Sequence, residues 1–152
     1  MARREDGFTY VIVMFVVAVL SILSVRALEN SLTKARRDKE EELLFVGQAY
    51  RDAIRSYYDN TPGTAKEYPP DLTSLLLDNR TTTTRRPLRK LYRDPMSDSE
   101  KWGVILTDDG RIKGVYSLSQ QQPVKTGGFP DEFVAFAVAK SYRDWQFVYQ
   151  SK

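Results

Sequence analysis

Carboxylates gathered along a loop are the side chains that hold calcium, and Asp94, Asp98, Glu100, Asp108 and Asp109 stand close together in this chain. Calcium asks for about six to eight oxygens converging on one point, usually from closely spaced loop acids. The spacing here does not follow such a loop. A turn at Asp108-Asp109-Gly110 accounts for two of the acids, and the place before Pro95 accounts for Asp94. The structural account is therefore preferred, with Asp94, Asp98, Asp108 and Asp109 kept as weak calcium candidates and no other cofactor or metal expected. The second group is basic: Arg80, Arg85, Arg86, Arg89, Lys90 and Arg93, with Tyr92 among them. Such a cluster suits phosphates or an acidic protein face, and a solvated charged face is the plainest account. Only one aromatic is interleaved and no nucleic-acid motif is present. A protein contact through Arg85, Arg86, Arg89 and Arg93 is preferred to nucleic acid. The chain has no histidine and no cysteine, which removes the usual general base, thiolate nucleophiles, disulfides and most zinc and iron sites. No catalytic residue is assigned, and an enzyme is not expected.

These residues must be carried by something, and the strongest element lies far from them. Residues 8–25, FTYVIVMFVVAVLSILSV, carry no formal charge. At about 1.5 Å per residue they reach about 27 Å as a helix, close to a hydrocarbon core of about 30 Å. A core helix of a globular domain would show a polar stripe, whereas only Thr9, Tyr10, Ser21 and Ser24 interrupt this surface. A secretory signal peptide would need small residues at a cleavage site after the run, and Ser24-Val25-Arg26-Ala27 offers no clean pattern. The small residue precedes the run instead, at Gly7, where the leader Met1-Ala2-Arg3-Arg4-Glu5-Asp6 ends. The cations after the run, Arg26, Lys34, Arg36, Arg37 and Lys39, outnumber Arg3 and Arg4 before it, and that bias alone argues for a cytoplasmic C-terminus.

Downstream the pattern turns amphipathic. No proline occurs between residues 8 and 61, and Leu43, Val46, Tyr50, Ile54 and Tyr57 recur at helical spacing. One helix to Asp59 is expected, stopped by Asp59-Asn60-Thr61-Pro62-Gly63. Its later part should lie on a sheet, with Gly47 a packing contact or a kink, and Glu40, Glu41 and Glu42 pairing with Arg36, Arg37 and Lys39 along the helix or between subunits. Residues 71–77 read as a short helix with Leu72, Leu75 and Leu76 inward, and residues 79–86 as an exposed loop. Residues 102–107 and 112–118 form a hairpin about Asp108-Asp109-Gly110-Arg111. The face of Ile112, Gly114, Tyr116 and Leu118 is expected against the helix. Residues 120–130 read as loop, 133–139 as strand or short helix, and 142–149 as a closing strand with Trp145, Phe147 and Tyr149 alternating. The expected fold class is α+β, a long N-terminal helix on a small antiparallel sheet.

The junction of charged leader, Gly7, Phe8-Thr9 and apolar helix resembles the prepilins of the type IV pilin and type II secretion pseudopilin superfamily. Residues 85–103 are similar to the region of small pseudopilins where an Asp-Pro turn, here Asp94-Pro95, leads to a Trp-Gly pair entering the sheet, here Trp102-Gly103. The closing Asp144-Trp145 pair is similar too. The resemblance implies a pilin-like head and cleavage after Gly7 by a prepilin peptidase, with methylation of the new amine on Phe8. It implies a filament-core helix using Val11, Phe15, Val19 and Leu23, and partners among other pseudopilins or pilins and an inner-membrane assembly platform. It also implies a single-pass protein of the bacterial inner membrane with a periplasmic head, against the charge bias. The expected segments are a leader at 1–7, the span at 8–25, the amphipathic continuation at 26–59 and the head at 60–152.

Ile12 departs from the family pattern. Most members place a Glu at that position, where it neutralises the amine of a neighbouring subunit, and members without it are minor subunits thought to sit at a filament tip. The absence of a cysteine pair differs from adhesive pilins and favours secretion. The expected function is a minor or tip pseudopilin of a type II secretion system, with a minor type IV pilin, including one that binds DNA, as the alternative.

Overall fold

An uncharged run followed by a one-sided apolar stripe, with no internal proline, folds as one helix. In the computed structural model, which describes residues 6–151, α1 runs Asp6–Asp59. The chain divides into two compact units, Met1–Arg36 and Arg37–Lys152.

In the first unit every side chain from Phe8 to Arg36 is exposed. The polar breaks in its apolar stretch are muted locally. Ser21 Oγ donates to the carbonyl of Val17 and Ser24 Oγ to that of Leu20, both at 2.8 Å. Hydroxyls bonded back to the preceding turn ask little of the surroundings.

The second unit holds the rest of α1, three strands and three 3₁₀ segments at Thr73–Leu75, Asp131–Val138 and Tyr142–Asp144. Leu43, Val46, Tyr50, Ala53, Ile54 and Tyr57 form the buried helix face, at the three- and four-residue spacing that one helix side requires. Beyond Asp59, the Asn60 N–H donates to the Ser56 carbonyl at 3.1 Å and Gly63 takes a left-handed φ of 81°. The helix ends where its breaker cluster stands.

Strands β1 (Gly103–Leu106), β2 (Ile112–Tyr116) and β3 (Gln146–Val148) make an antiparallel sheet in that order. The connecting turn closes through the Gly110 N–H on the Thr107 carbonyl at 2.9 Å, with Gly110 at φ 77°. Side chains cannot adopt that angle cheaply. The expected α+β class is the one observed, and the later part of α1 packs on this sheet.

The face turned to the helix differs from expectation. Val115 pairs with Phe147 across β2 and β3, both fully buried, and Ser117 is buried with them, whereas Leu118 is exposed. Tyr116 lies on the opposite face, its ring over Gly103, where a Cβ would come within 2.3 Å of the ring. Both faces of β2 carry apolar residues, so alternation alone was ambiguous; the register with Phe147 decides it. Gly47 is a close-approach point: a Cβ there would sit 2.3 Å from the Phe147 ring.

The run at 133–139 resolves as two short 3₁₀ turns with a kink at Phe133, and Phe133 and Phe136 are both buried. Their rings stack at 5.0 Å, and Phe136 stacks on Trp145 at 5.4 Å, with Phe147 edge-on to both phenylalanines. The closing strand is shorter than expected. Asp144 accepts the N–H groups of Lys140 and Ser141, each at 2.9 Å, and so belongs to a capped 3₁₀ turn ahead of β3.

Overpacking a filled core costs about 1–3 kcal/mol. Gly47→Ala is accordingly expected to lower the thermal unfolding midpoint by several degrees, with part of the loss recovered in the Gly47→Ala/Phe147→Leu double variant. Because Ala also gains about 1 kcal/mol of helix propensity over Gly, a raised midpoint in calorimetry would mean that the Phe147 ring does not seat on the helix.

Candidate functional site

The first candidate surface is the apolar part of α1. Phe8, Val11, Ile12, Phe15, Val19 and Leu23 are all exposed, from 38% at Val19 to 72% at Phe8. By length and composition this is a helix able to cross a membrane. Gly7 and Phe8 lie in its first turns, and leader residues 1–5 lie outside the described residues.

The second candidate is the basic segment after Asp78, and its backbone is pinned along its length. Asp78 and Arg85 exchange two backbone hydrogen bonds at 2.8 and 3.0 Å, and the N–H of buried Leu88 donates to the Leu75 carbonyl at 2.8 Å. The Tyr50 hydroxyl accepts the Tyr92 N–H at 2.9 Å and donates to the Tyr92 carbonyl at 3.2 Å, which also takes the Trp102 indole N–H at 2.8 Å. Burial pushes the Tyr50 phenol up.

Arg80 separates from the other cations. Its guanidinium bonds both carboxylate oxygens of Asp78 at 2.8 Å, the Thr61 hydroxyl at 3.0 Å and the Tyr57 carbonyl at 2.8 Å, and lies 3.4 Å from the Tyr57 ring centre. It braces the end of α1. The hydrogen bond from Arg80 holds the buried Asp78 carboxyl below the usual range, and the same bond raises Arg80. Burial pushes Tyr57 up, with the Arg80 charge opposing it. The expected exposed loop at 79–86 is thus anchored at its start.

Arg93 meets Glu100 at 3.3 Å, both well exposed, an ion pair worth less than about 1 kcal/mol. A cleft of 760 Å³ beside it sets Lys39, Lys90 and Arg93 against Glu42, Asp98 and Glu100, so its charges offset and it is no anion pocket. Arg85, Arg86 and Arg89 stay exposed on the pinned backbone. With Lys90 and Arg93 they are the exposed cations of this segment.

The acids disperse. Asp94 is fully buried and accepts the Met96 N–H at 3.0 Å, the Ser97 hydroxyl, the Ser117 hydroxyl at 2.8 Å and the Leu118 N–H at 3.2 Å. It ties the Asp94-Pro95 turn to the end of β2. Asp98 is exposed in a turn with φ 53° and Asp108 is exposed in the hairpin turn. A hydrogen bond from Thr107 holds Asp109 below the usual range, and Arg111 stands 3.4 Å away. Among the described residues no three acids come together as a metal group.

Glu40 is the buried acid that sequence reasoning placed elsewhere. It is 1% exposed and accepts the Val124 N–H at 2.6 Å, the Lys125 N–H at 3.2 Å and the Tyr142 hydroxyl at 2.8 Å. It fastens the 120–130 loop and the last 3₁₀ turn to α1. The signal was its spacing, since Glu40, Leu43, Gly47, Tyr50 and Ile54 share one helix side.

No family model matches this chain, and no curated protein or solved structure is similar to it at a significant level.

Two outcomes follow from the buried carboxylates. A carboxyl with a lowered folded pKa contributes stability that is present above its unfolded pKa and lost as pH falls through the folded value. Stability should therefore fall less steeply in Arg80→Gln than in the unsubstituted chain as pH drops through and below the usual carboxylate range; equal slopes would remove Arg80 as the cause. Glu40→Leu should leave two part-buried N–H groups without their acceptor, at a cost of up to about 1–3 kcal/mol each. Hydrogen exchange at Val124 and Lys125 should rise with it, and unchanged exchange there would contradict the clasp.

Proposed function

We propose that this chain is a pseudopilin-like subunit of a type II secretion pseudopilus, held in the bacterial inner membrane by α1 and assembled from it into a periplasmic filament. The observation that carries the reading is the uncharged helix beginning at the Gly7-Phe8 junction, whose side chains are all left uncovered. An apolar surface of this extent asks for lipid or for the helices of other subunits. The head supports the same reading, because a helix lying on a small antiparallel sheet is consistent with pilin-like architecture.

In this proposal a prepilin peptidase cuts after Gly7 and Phe8 becomes the methylated N-terminus. Val11, Phe15, Val19 and Leu23 then exchange lipid for neighbouring helices when an assembly platform extracts the subunit. The work is mechanical and needs no cofactor or catalytic group. A cation left alone in such an apolar core is costly, so subunits beneath another normally supply a carboxylate near its amine. Ile12 supplies none. That favours a low-copy position, at the tip, where no subunit above must be paired.

A second reading, a minor type IV pilin that binds DNA, draws on Arg85, Arg86 and Arg89. Their exposed cations lie on a pinned segment without a carboxylate between Asp78 and Asp94.

Mass spectrometry of the chain recovered from membranes should find methyl-Phe8 as the first residue. An intact Met1, or a cut near Ala27, would overturn the pilin reading. If the low-copy assignment is right, Ile12→Glu should increase incorporation into filaments that the unsubstituted chain only caps. DNA retention by the full chain at low salt, lost steeply with added salt and in Arg85→Gln/Arg86→Gln/Arg89→Gln, would favour the second reading.

A further inference from the structure

The apolar stretch of α1 is about 3 Å short of a typical hydrocarbon core, so the residues just past it are drawn to the interface. Those residues are Arg26, Leu28, Lys34 and Arg36, all exposed, with Glu29 the one acid between residues 26 and 36. Leu28 and Leu32 are 61% and 63% exposed and extend the stripe of Val25. A helix that keeps an apolar edge while gaining cations has the composition of an interfacial segment.

Distances along the helix fit the depth of that interface. Arg26 follows the stretch directly, Lys34 lies about 14 Å beyond Val25 and Arg36 about 16 Å, at 1.5 Å per residue. The headgroup layer occupies about 5–8 Å on each side, and the charge of a lipid surface reaches a further 8–10 Å or so before salt screens it. Helical side chains lean toward the N-terminus, which here is the direction of the bilayer, and long basic side chains extend their charge the same way. All three cations fall within reach.

We infer that Arg26, Lys34 and Arg36 form a collar that binds anionic phospholipid headgroups and holds the helix at the membrane surface. The inference rests on the reading of residues 8–25 as a membrane span. The partner follows from charge: the phosphodiester of an acidic lipid accepts guanidinium hydrogen bonds and leaves the cations net-neutralised, which a zwitterionic headgroup does less well. The collar also gives the excess of cations after the span a role other than setting topology. For a subunit that must be pulled from the bilayer, it is a contact to be broken at extraction.

The test uses the full chain reconstituted in phosphatidylcholine vesicles, with spin-labelled phosphatidylglycerol and spin-labelled phosphatidylcholine as probes. Phosphatidylglycerol should associate more strongly with the chain, by about fivefold for each cation at the surface, and the preference should shrink with salt. It should fall to parity in Arg26→Gln/Lys34→Gln/Arg36→Gln and persist in Arg26→Lys/Lys34→Arg/Arg36→Lys. A chain that resists alkaline extraction yet shows parity overturns the collar alone. Preference surviving the glutamine variant also overturns it, by placing the lipid contact on other cations. Parity accompanied by salt-sensitive association between chains would assign the cations to acids of a neighbouring subunit and overturn it as well. Release of the chain by alkaline extraction would sink the span and the collar together.

Discussion

Everything in this molecule depends on a single helix having to satisfy two different surroundings. Over residues 8–25 α1 is apolar on every side, and from Leu43 onward it is apolar on one. A helix apolar on every side suits lipid or the middle of a larger helical assembly, whereas a helix on a sheet buries only a stripe of itself. The second pattern is useless in lipid, because the charged side opposite the stripe would have to be desolvated. The change between them falls in residues 26–42, where thirteen of the seventeen side chains are polar or charged. The apolar and the one-sided parts of α1 are thus joined without a proline, a glycine or a loop.

The head is built around what that stripe can hold. Gly47 lets the Phe147 ring reach the helix backbone, and Val115 stands beside it in register, so the sheet is fixed to α1 at one close contact. Phe133, Phe136 and Trp145 extend that contact into an aromatic cluster. Three buried acids do the rest, each from a different part of the chain. Glu40 draws in the 120–130 loop, Asp78 with Arg80 closes the end of α1, and Asp94 joins the turn before β1 to the end of β2. Buried carboxylates that accept backbone and hydroxyl donors are well matched to irregular segments, whose N–H groups have no ladder to satisfy them.

The same feature explains which parts were legible in the sequence. The helix, its stop at Asp59, the hairpin about Gly110 and the α+β class follow from local patterns, and Leu72, Leu75 and Leu76 turn to the core as spacing indicates. Glu40 reads as a surface charge and Asp94 as a turn residue because their partners lie far along the chain: Glu40 bonds a loop more than eighty positions away, and Asp94 bonds Ser117. Nothing in the residues around Asp94 says that Ser117 will arrive beside it. The face of β2 failed for a related reason, since Val115 and Tyr116 are equally apolar and only the register with Phe147 separates them. Arg80 and Arg85 look alike in sequence, yet Arg80 is drawn onto Asp78, Thr61 and Tyr57 while Arg85 stays exposed.

That sorting bears on what the surface is for. Of the cations that cluster after Asp78, Arg80 is taken by the fold, Arg93 is partly satisfied by Glu100 and Lys90 lies 5.2 Å from the Tyr92 ring centre, which leaves Arg85, Arg86 and Arg89 as exposed guanidinium groups. Holding them on a backbone anchored at Arg85, Leu88 and Tyr92 lowers the entropy that a partner must pay to order them. An unanchored loop of the same composition would solubilise the head equally well, so solubility does not require the anchors. The pinned backbone is also needed for the head itself, because Leu88 and Tyr92 pack into its core. Packing of the head therefore accounts for the anchors by itself, and the exposed guanidinium groups are the part of the segment that it does not require.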